Sequence, residues 1–163
     1  MPQTLFHAPG HDHARCEADR IAEAEATCAR RGMRLTPIRR RVLAALLSAH
    51  RPFGAYELMD WLAEQGPRPA PITIYRALDF LLEAGLVHRI ASRNAFVACI
   101  HNHADTDSVV FLICEHCGAV GEAPSSAVRD SLNAAAAAAG FAPKMPVIEV
   151  PGLCGHCRAT GTG

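Results

Sequence analysis

Two short runs constrain this chain more than anything else in it: CEHC, with Cys114 and Cys117, and CGHC, with Cys154 and Cys157. A two-residue gap lets both sulfurs of a pair turn toward one ion about 2.3 Å away, so two such pairs form a tetrahedral four-thiolate zinc pattern. Four thiolates close the coordination shell, which suits a structural site rather than a catalytic one. The competing readings are a pair of redox dithiols or buried free cysteines. One dithiol beside a helix start is a familiar redox arrangement; two that both follow β-type segments are better explained by a shared ion. His116 and His156 lie inside the knuckles and are expected to face solvent, because the cysteines already fill four positions. Gly118 and Gly155 are expected to ease the tight turns. Seven cysteines cannot all pair within one chain, so a disulfide framework is not expected.

The segment joining the two knuckles explains why a metal is needed. SVVFLIC reads as a strand, residues 125–139 as an Ala-rich helix stopped by Gly140, and PVIEV as another strand. This is a small α/β unit whose core alone is a weak guarantee of stability. The four thiols staple the strand before the helix to the segment after the second strand.

Upstream the periodicity is helical. Residues 17–31 form one expected helix. Thr36-Pro37 opens a second, with Ile38, Val42, Leu43, Leu46 and Leu47 on its inner stripe. Residues 55–65 give a third, and a fourth runs from Pro71 to a stop at Gly85. Two β-rich runs, LVHRI and FVACI, then flank Arg93-Asn94, which is read as a two-residue hairpin turn. Helices followed directly by a hairpin give the chain order of a winged helix, with the last helix as recognition element and the hairpin as wing. The expected fold class is α+β: a winged-helix DNA-binding domain followed by a small α/β second domain with a four-cysteine zinc site. The expected divisions are a disordered arm over 1–15, the winged helix over 16–101, a hinge over 102–107, the second domain over 108–158 and a tail over 159–163.

Charge supports that division. The net charge is zero over 163 residues. Residues 1–95 nevertheless carry 13 Lys+Arg against 10 Asp+Glu, and residues 96–163 carry 3 against 6. No acid falls between Glu25 and Glu57, where Arg30, Arg31, Arg34, Arg39, Arg40, Arg41 and Arg51 stand. A basic half suits contact with nucleic acid. No apolar run reaches the roughly 18–20 residues that span a bilayer, and the N-terminus does not read as a signal peptide, so a cytoplasmic protein is expected. No Ser-His-Asp set or phosphate-binding glycine loop is present, and an enzyme is not expected.

The wing holds a second set of donors. A turn on Arg93-Asn94 would set His88 directly across the ladder from Cys99, with Cβ atoms about 5 Å apart. Further donors follow at His101, His103, Asp105, Asp107 and Glu122. A set of imidazole, thiolate and carboxylate suits zinc better than iron or manganese, because thiolate is a soft ligand. Ligands on separate movable pieces are what a sensor needs.

The runs RLTPIRRRVL, AYELMDWL, PITIYRALDFLLEAGLVHRI and FVAC, followed by FLICEHCG and GLCGHC, resemble the ferric uptake regulator family over roughly residues 18–158. The resemblance implies a homodimer, each subunit a winged helix joined to a dimerisation domain. It implies metal-dependent binding to palindromic double-stranded DNA operators of metal-uptake genes, with no membrane and no small-molecule substrate other than the metal ion. The zinc-responsive branch is favoured, since the His-rich run before the first knuckle in the iron branch is absent. That branch implies two zinc ions per subunit, one structural and one regulatory. His88, Cys99 and Glu122 occupy the regulatory positions. The hinge position departs from the usual His: Asp107 aligns there, and His103 is the other candidate for the fourth ligand. Recognition contacts fall on Tyr75 and Arg76 beside Thr73, and phosphate contacts on Arg34, Arg39 and Tyr56. The alternatives carried forward are an iron or manganese sensor of the same family, or a thiol redox protein.

Overall fold

The computed structural model of the chain describes residues 13–49, 51–99, 109–124, 126–144 and 147–161. They fall into two compact units, one ending at Cys99 and the other following it. The expected hinge over 102–107 and residues 1–12 of the expected arm lie outside the described residues, and helix is present from His13 onward. No helix among the described residues is long and apolar enough to cross a membrane.

The N-terminal unit runs α1 (His13–Arg30), α2 (Pro37–Ser48), α3 (Ala55–Ala63), α4 (Pro71–Glu83), β1 (Val87–Ile90) and β2 (Ala95–Ala98). Proline opens α2 and α4, where its missing N–H would have had no helical partner and its fixed φ suits the first turn. Thr36 takes the N-cap position of α2, but its hydroxyl makes no capping bond, so the proline and not the expected hydroxyl marks this start. Val42 and Leu46 of α2, Leu58, Met59 and Leu62 of α3, and Ile74, Leu78 and Leu81 of α4 build one core. Burial of side chains this size stabilises by about 1.5–3 kcal/mol each before chain entropy is counted. Gly85, at φ +71°, ends α4 in a left-handed turn in which the Leu86 N–H donates to the Leu81 carbonyl at 2.9 Å. That turn sends the chain straight into the wing.

The wing differs from the sequence reading. Ala91–Arg93 form a 3₁₀ turn and Asn94 is left-handed, so the connection has four residues and not two. The register moves accordingly: His88 faces Val97, and the Cys99 N–H donates to the Leu86 carbonyl at 2.9 Å. The Arg93-Asn94 dipeptide cannot make the two-residue turn because only Asn94 adopts positive φ, whereas such a turn of the favoured type needs it at both central residues. Phe53 and Phe96 exchange backbone hydrogen bonds of 2.8 Å in both directions, which ties the wing to the α2–α3 connection.

The C-terminal unit runs β3 (Val109–Cys114), β4 (Val120–Pro124), α5 (Ser126–Ala138), β5 (Val147–Gly152) and α6 (Gly155–Ala159). Its sheet has the order β4-β3-β5, antiparallel between β3 and β4 and parallel between β3 and β5. A parallel return needs a long crossover, which α5 supplies. Strand β3 is central and buries Val109, Val110, Phe111 and Ile113. The β4 strand and the short α6 were not anticipated from sequence.

Candidate metal centre and nucleic-acid face

The sheet brings the four knuckle cysteines together. Cys114 is the last residue of β3 and pairs with Gly152 of β5. Cys154 follows two residues later and caps α6, its sulfur accepting from the Cys157 N–H at 3.5 Å. The Cys154 N–H donates to Cys114 Sγ at 3.4 Å. All four sulfurs lie within 4.8 Å of one another. Cys117 Sγ and Cys154 Sγ are 3.8 Å apart, close to the edge of a tetrahedron with metal–sulfur bonds of about 2.3 Å. That contact crosses between the two pairs, so the thiols form one cluster rather than two separate dithiols. Gly118, at φ +76°, closes the first knuckle, its N–H donating to the Cys114 carbonyl at 3.0 Å. Gly155 does not share this role: it opens α6 without positive φ, and a Cβ there would meet nothing within 4 Å. His116 and His156 are exposed.

The electrostatics suit a cation. Backbone N–H groups of Cys117 and then Cys154 aimed at its sulfur bring the Cys114 thiol down to about 6. Burial and the neighbouring thiols push Cys157 up to about 12. The cluster therefore releases one proton readily and resists losing its last. A divalent cation that takes thiolate ligands displaces these protons, and the donor set fits zinc.

On the wing, the ligand atoms of His88 and Cys99 lie within 4.8 Å of one another although the residues are not directly opposed. The register differs from the expected one by two residues, so both side chains keep to one face and become diagonal neighbours, still within reach. Glu122, in the C-terminal unit, is the buried charged residue of β4 and stands opposite Phe111. His103 and Asp107 lie outside the described residues. Cys28 is a packed residue of α1, its thiol pushed up by burial.

The basic stretch is partly consumed within the protein. The Arg39 guanidinium lies over the Phe80 ring at 3.6 Å and donates to the Arg34 carbonyl at 2.7 Å. Arg41 donates to the Leu62 carbonyl at 3.1 Å, and Arg40 pairs with Glu25 at 3.3 Å. Arg34 and Arg76 are exposed, Thr73 is half-buried, and Tyr56 and Tyr75 are exposed at the starts of α3 and α4.

Residues 30–150 match the sequence pattern of the ferric uptake regulator family. The "Zinc uptake regulation protein" of Escherichia coli (strain K12) is 44% identical over 137 residues, covering 84% of this chain and 80% of that protein. The chain belongs to the ferric uptake regulator family. Among solved structures, a zinc uptake regulator complexed with zinc and DNA matches with a TM-score of 0.85 and 41% identity, over 90% of this chain and 98% of that one. A crystal structure of holo XcZur matches with a TM-score of 0.79 and 46% identity, over 86% and 98%. A regulator family agrees with the expectation that the chain is not an enzyme.

For a member of the ferric uptake regulator family, two features escaped the sequence reading. Ile72 is exposed on the same face of α4 as Tyr75 and Arg76; its spacing from them was the available signal. Glu57 was not singled out either. Its carboxylate accepts from the Gly54 N–H at 2.8 Å and pairs with Arg51 at 2.9 Å. This is half of a capping box, since Gly54 has no side chain to reciprocate. It fixes the first turn of α3, which carries Tyr56. The Gly54 N–H chiefly, helped by Arg51, holds the Glu57 carboxyl below its usual 4.5. A depressed carboxylate contributes stability above its unfolded value and loses it as pH falls through the folded one. We expect Glu57→Gln to cost about 0.5 kcal/mol at pH 7, a small figure because the side chain is half exposed. That difference should shrink below pH 4.5, as read from denaturation midpoints of both proteins at pH 7 and pH 3.5.

Proposed function

We propose that the protein is a zinc-responsive transcriptional repressor that acts in the cytoplasm as a homodimer and binds palindromic operators of zinc-uptake genes when its regulatory site is loaded. The observation that carries this reading is the His88–Cys99 pair: two soft donors within 4.8 Å, on the wing of the N-terminal unit, made of residues other than the four knuckle thiols. A wing pair of this kind suits sensing, whereas the four-thiol cluster suits support.

Each subunit takes two zinc ions. Cys114, Cys117, Cys154 and Cys157 hold the structural one. His88, Cys99 and Glu122 hold the regulatory one, with His103 or Asp107 as fourth ligand. When bound, zinc would supply a fixed junction among these ligands. The thiolate favours zinc over iron and manganese as the regulatory ion. Tyr75 and Arg76 read bases, the guanidinium being suited to a guanine edge in the major groove. Thr73, Tyr56 and Arg34 contact the duplex around them. Arg39 braces α4 through Phe80 and adds positive potential near the phosphates.

The dimer is supported by surface character. No residue of α5 is buried in the single chain, and β5 is a sheet edge with Val147 and Val150 exposed. A second copy covers this face.

The deciding experiment is operator binding by full-length protein that retains its tetrathiolate zinc, titrated with zinc, iron(II) or manganese(II). Zinc should tighten binding about 5–150-fold, the usual size of such coupling. Equal operator affinity with and without the second zinc ion would overturn the proposal, and selective tightening by iron or manganese would reassign the metal.

A further inference from the structure

The exposed apolar side chains of the N-terminal unit are not scattered. Among its described residues the exposed large hydrophobics are Tyr56 (66%), Ile72 (59%) and Tyr75 (41%), all in the first two turns of α3 and α4. Ile72 precedes Tyr75 and Arg76 by three and four positions, so the three share one face of α4. The core face of the same helix carries Ile74, Ala77, Leu78 and Leu81.

Ile72 lies outside the core, and its β-branch is a mild handicap in a helix. An acidic residue in the first turn would gain from the helix dipole, yet the first turn of α4 has none. Ala70 at the N-cap gives no side-chain bond. The turn therefore holds no negative charge that would repel a polyanion, and it presents a branched apolar side chain beside a tyrosine and an arginine.

We propose that Ile72 is a specificity-determining residue that packs against the C5-methyl group of a thymine in the major groove, next to the base edge met by Arg76. Among the groups bases offer there, the thymine methyl is the apolar one, and aliphatic side chains distinguish it by contact. The assignment rests on the operator-binding reading above and names a base that reading leaves open.

The test uses the zinc-loaded full-length protein and a palindromic duplex that it enriches from random-sequence DNA. Each thymine is then replaced singly by deoxyuracil, which removes the methyl and leaves base pairing intact. Wild type should bind one substituted duplex about fourfold more weakly per half-site, the effect of one lost apolar carbon. Ile72→Ala should bind the thymine and uracil versions of that duplex equally, and Ile72→Val should keep most of the discrimination. Ile72 is exposed, so neither change opens a cavity, and retained affinity for the uracil duplex reports an intact fold. If Ile72→Ala keeps the wild-type thymine-to-uracil ratio at every position, or if wild type is indifferent to every substitution, the Ile72 assignment falls while operator binding stands. If zinc-loaded wild type enriches no sequence, both fall together.

Discussion

Replacing Cys154 with serine is expected to unfold the C-terminal unit and to remove one zinc ion per chain. The Cys154 sulfur is one of the four donors, whereas the backbone N–H that donates to Cys114 Sγ survives the change. Structural zinc sites contribute roughly 10–16 kcal/mol to the folding of small domains. That is as large as the whole stability of an ordinary domain, about 5–15 kcal/mol. Three strands and the helices α5 and α6 offer no reserve of that size within one chain. Limited proteolysis should cut freely beyond residue 109 in the variant while leaving the helical unit protected, and zinc content by atomic absorption should fall by one equivalent. A variant that keeps its sheet and its thermal midpoint would show that the cluster is not a folding element. A thiol redox protein would behave differently again: little zinc in the wild type, and disulfide formation on mild oxidation.

Cys99→Ser should have the opposite profile, with little loss of stability and a complete loss of zinc response. Cys99 is half-buried, and its backbone N–H, which donates to Leu86, survives the change. The stability cost should stay near about 1 kcal/mol, as for a mild substitution outside the core. Serine replaces a soft thiolate with a weakly acidic hydroxyl and so removes the donor that favours zinc. The coupling between zinc and operator, about 1–3 kcal/mol, then vanishes. Gel shifts with and without a chelator should give the same affinity for the variant and different affinities for the wild type. Zinc-dependent operator binding by Cys99→Ser would remove this residue from the sensor.

Helix starts and stops were legible because their signals are local: Pro37 and Pro71 open helices, and Gly85 closes one. The four-thiol cluster was legible because its spacing is a property of the chain itself. The strand β4 was not, because VGEAP has no clean alternation and takes its shape from pairing with β3. The wing register was missed by two residues because turn length depends on which residues accept positive φ, and only Asn94 did. The pairing of His88 with Cys99 survived that error since a shift of two preserves the face. Sequence shows charge but not that Arg39 and Arg41 spend their guanidinium groups on Phe80 and the Leu62 carbonyl.

The two halves of the thiol cluster stand 40 residues apart in sequence. The ribosome adds about 5–20 residues per second. The helical unit, whose contacts are local, is therefore complete and able to collapse seconds before the second cysteine pair leaves the exit tunnel. During that interval β3 waits without its parallel neighbour β5, and Cys114 and Cys117 are a half-built ligand set. Metal capture thus waits on the second cysteine pair, and a shortage of zinc would be felt first by newborn chains rather than by finished ones.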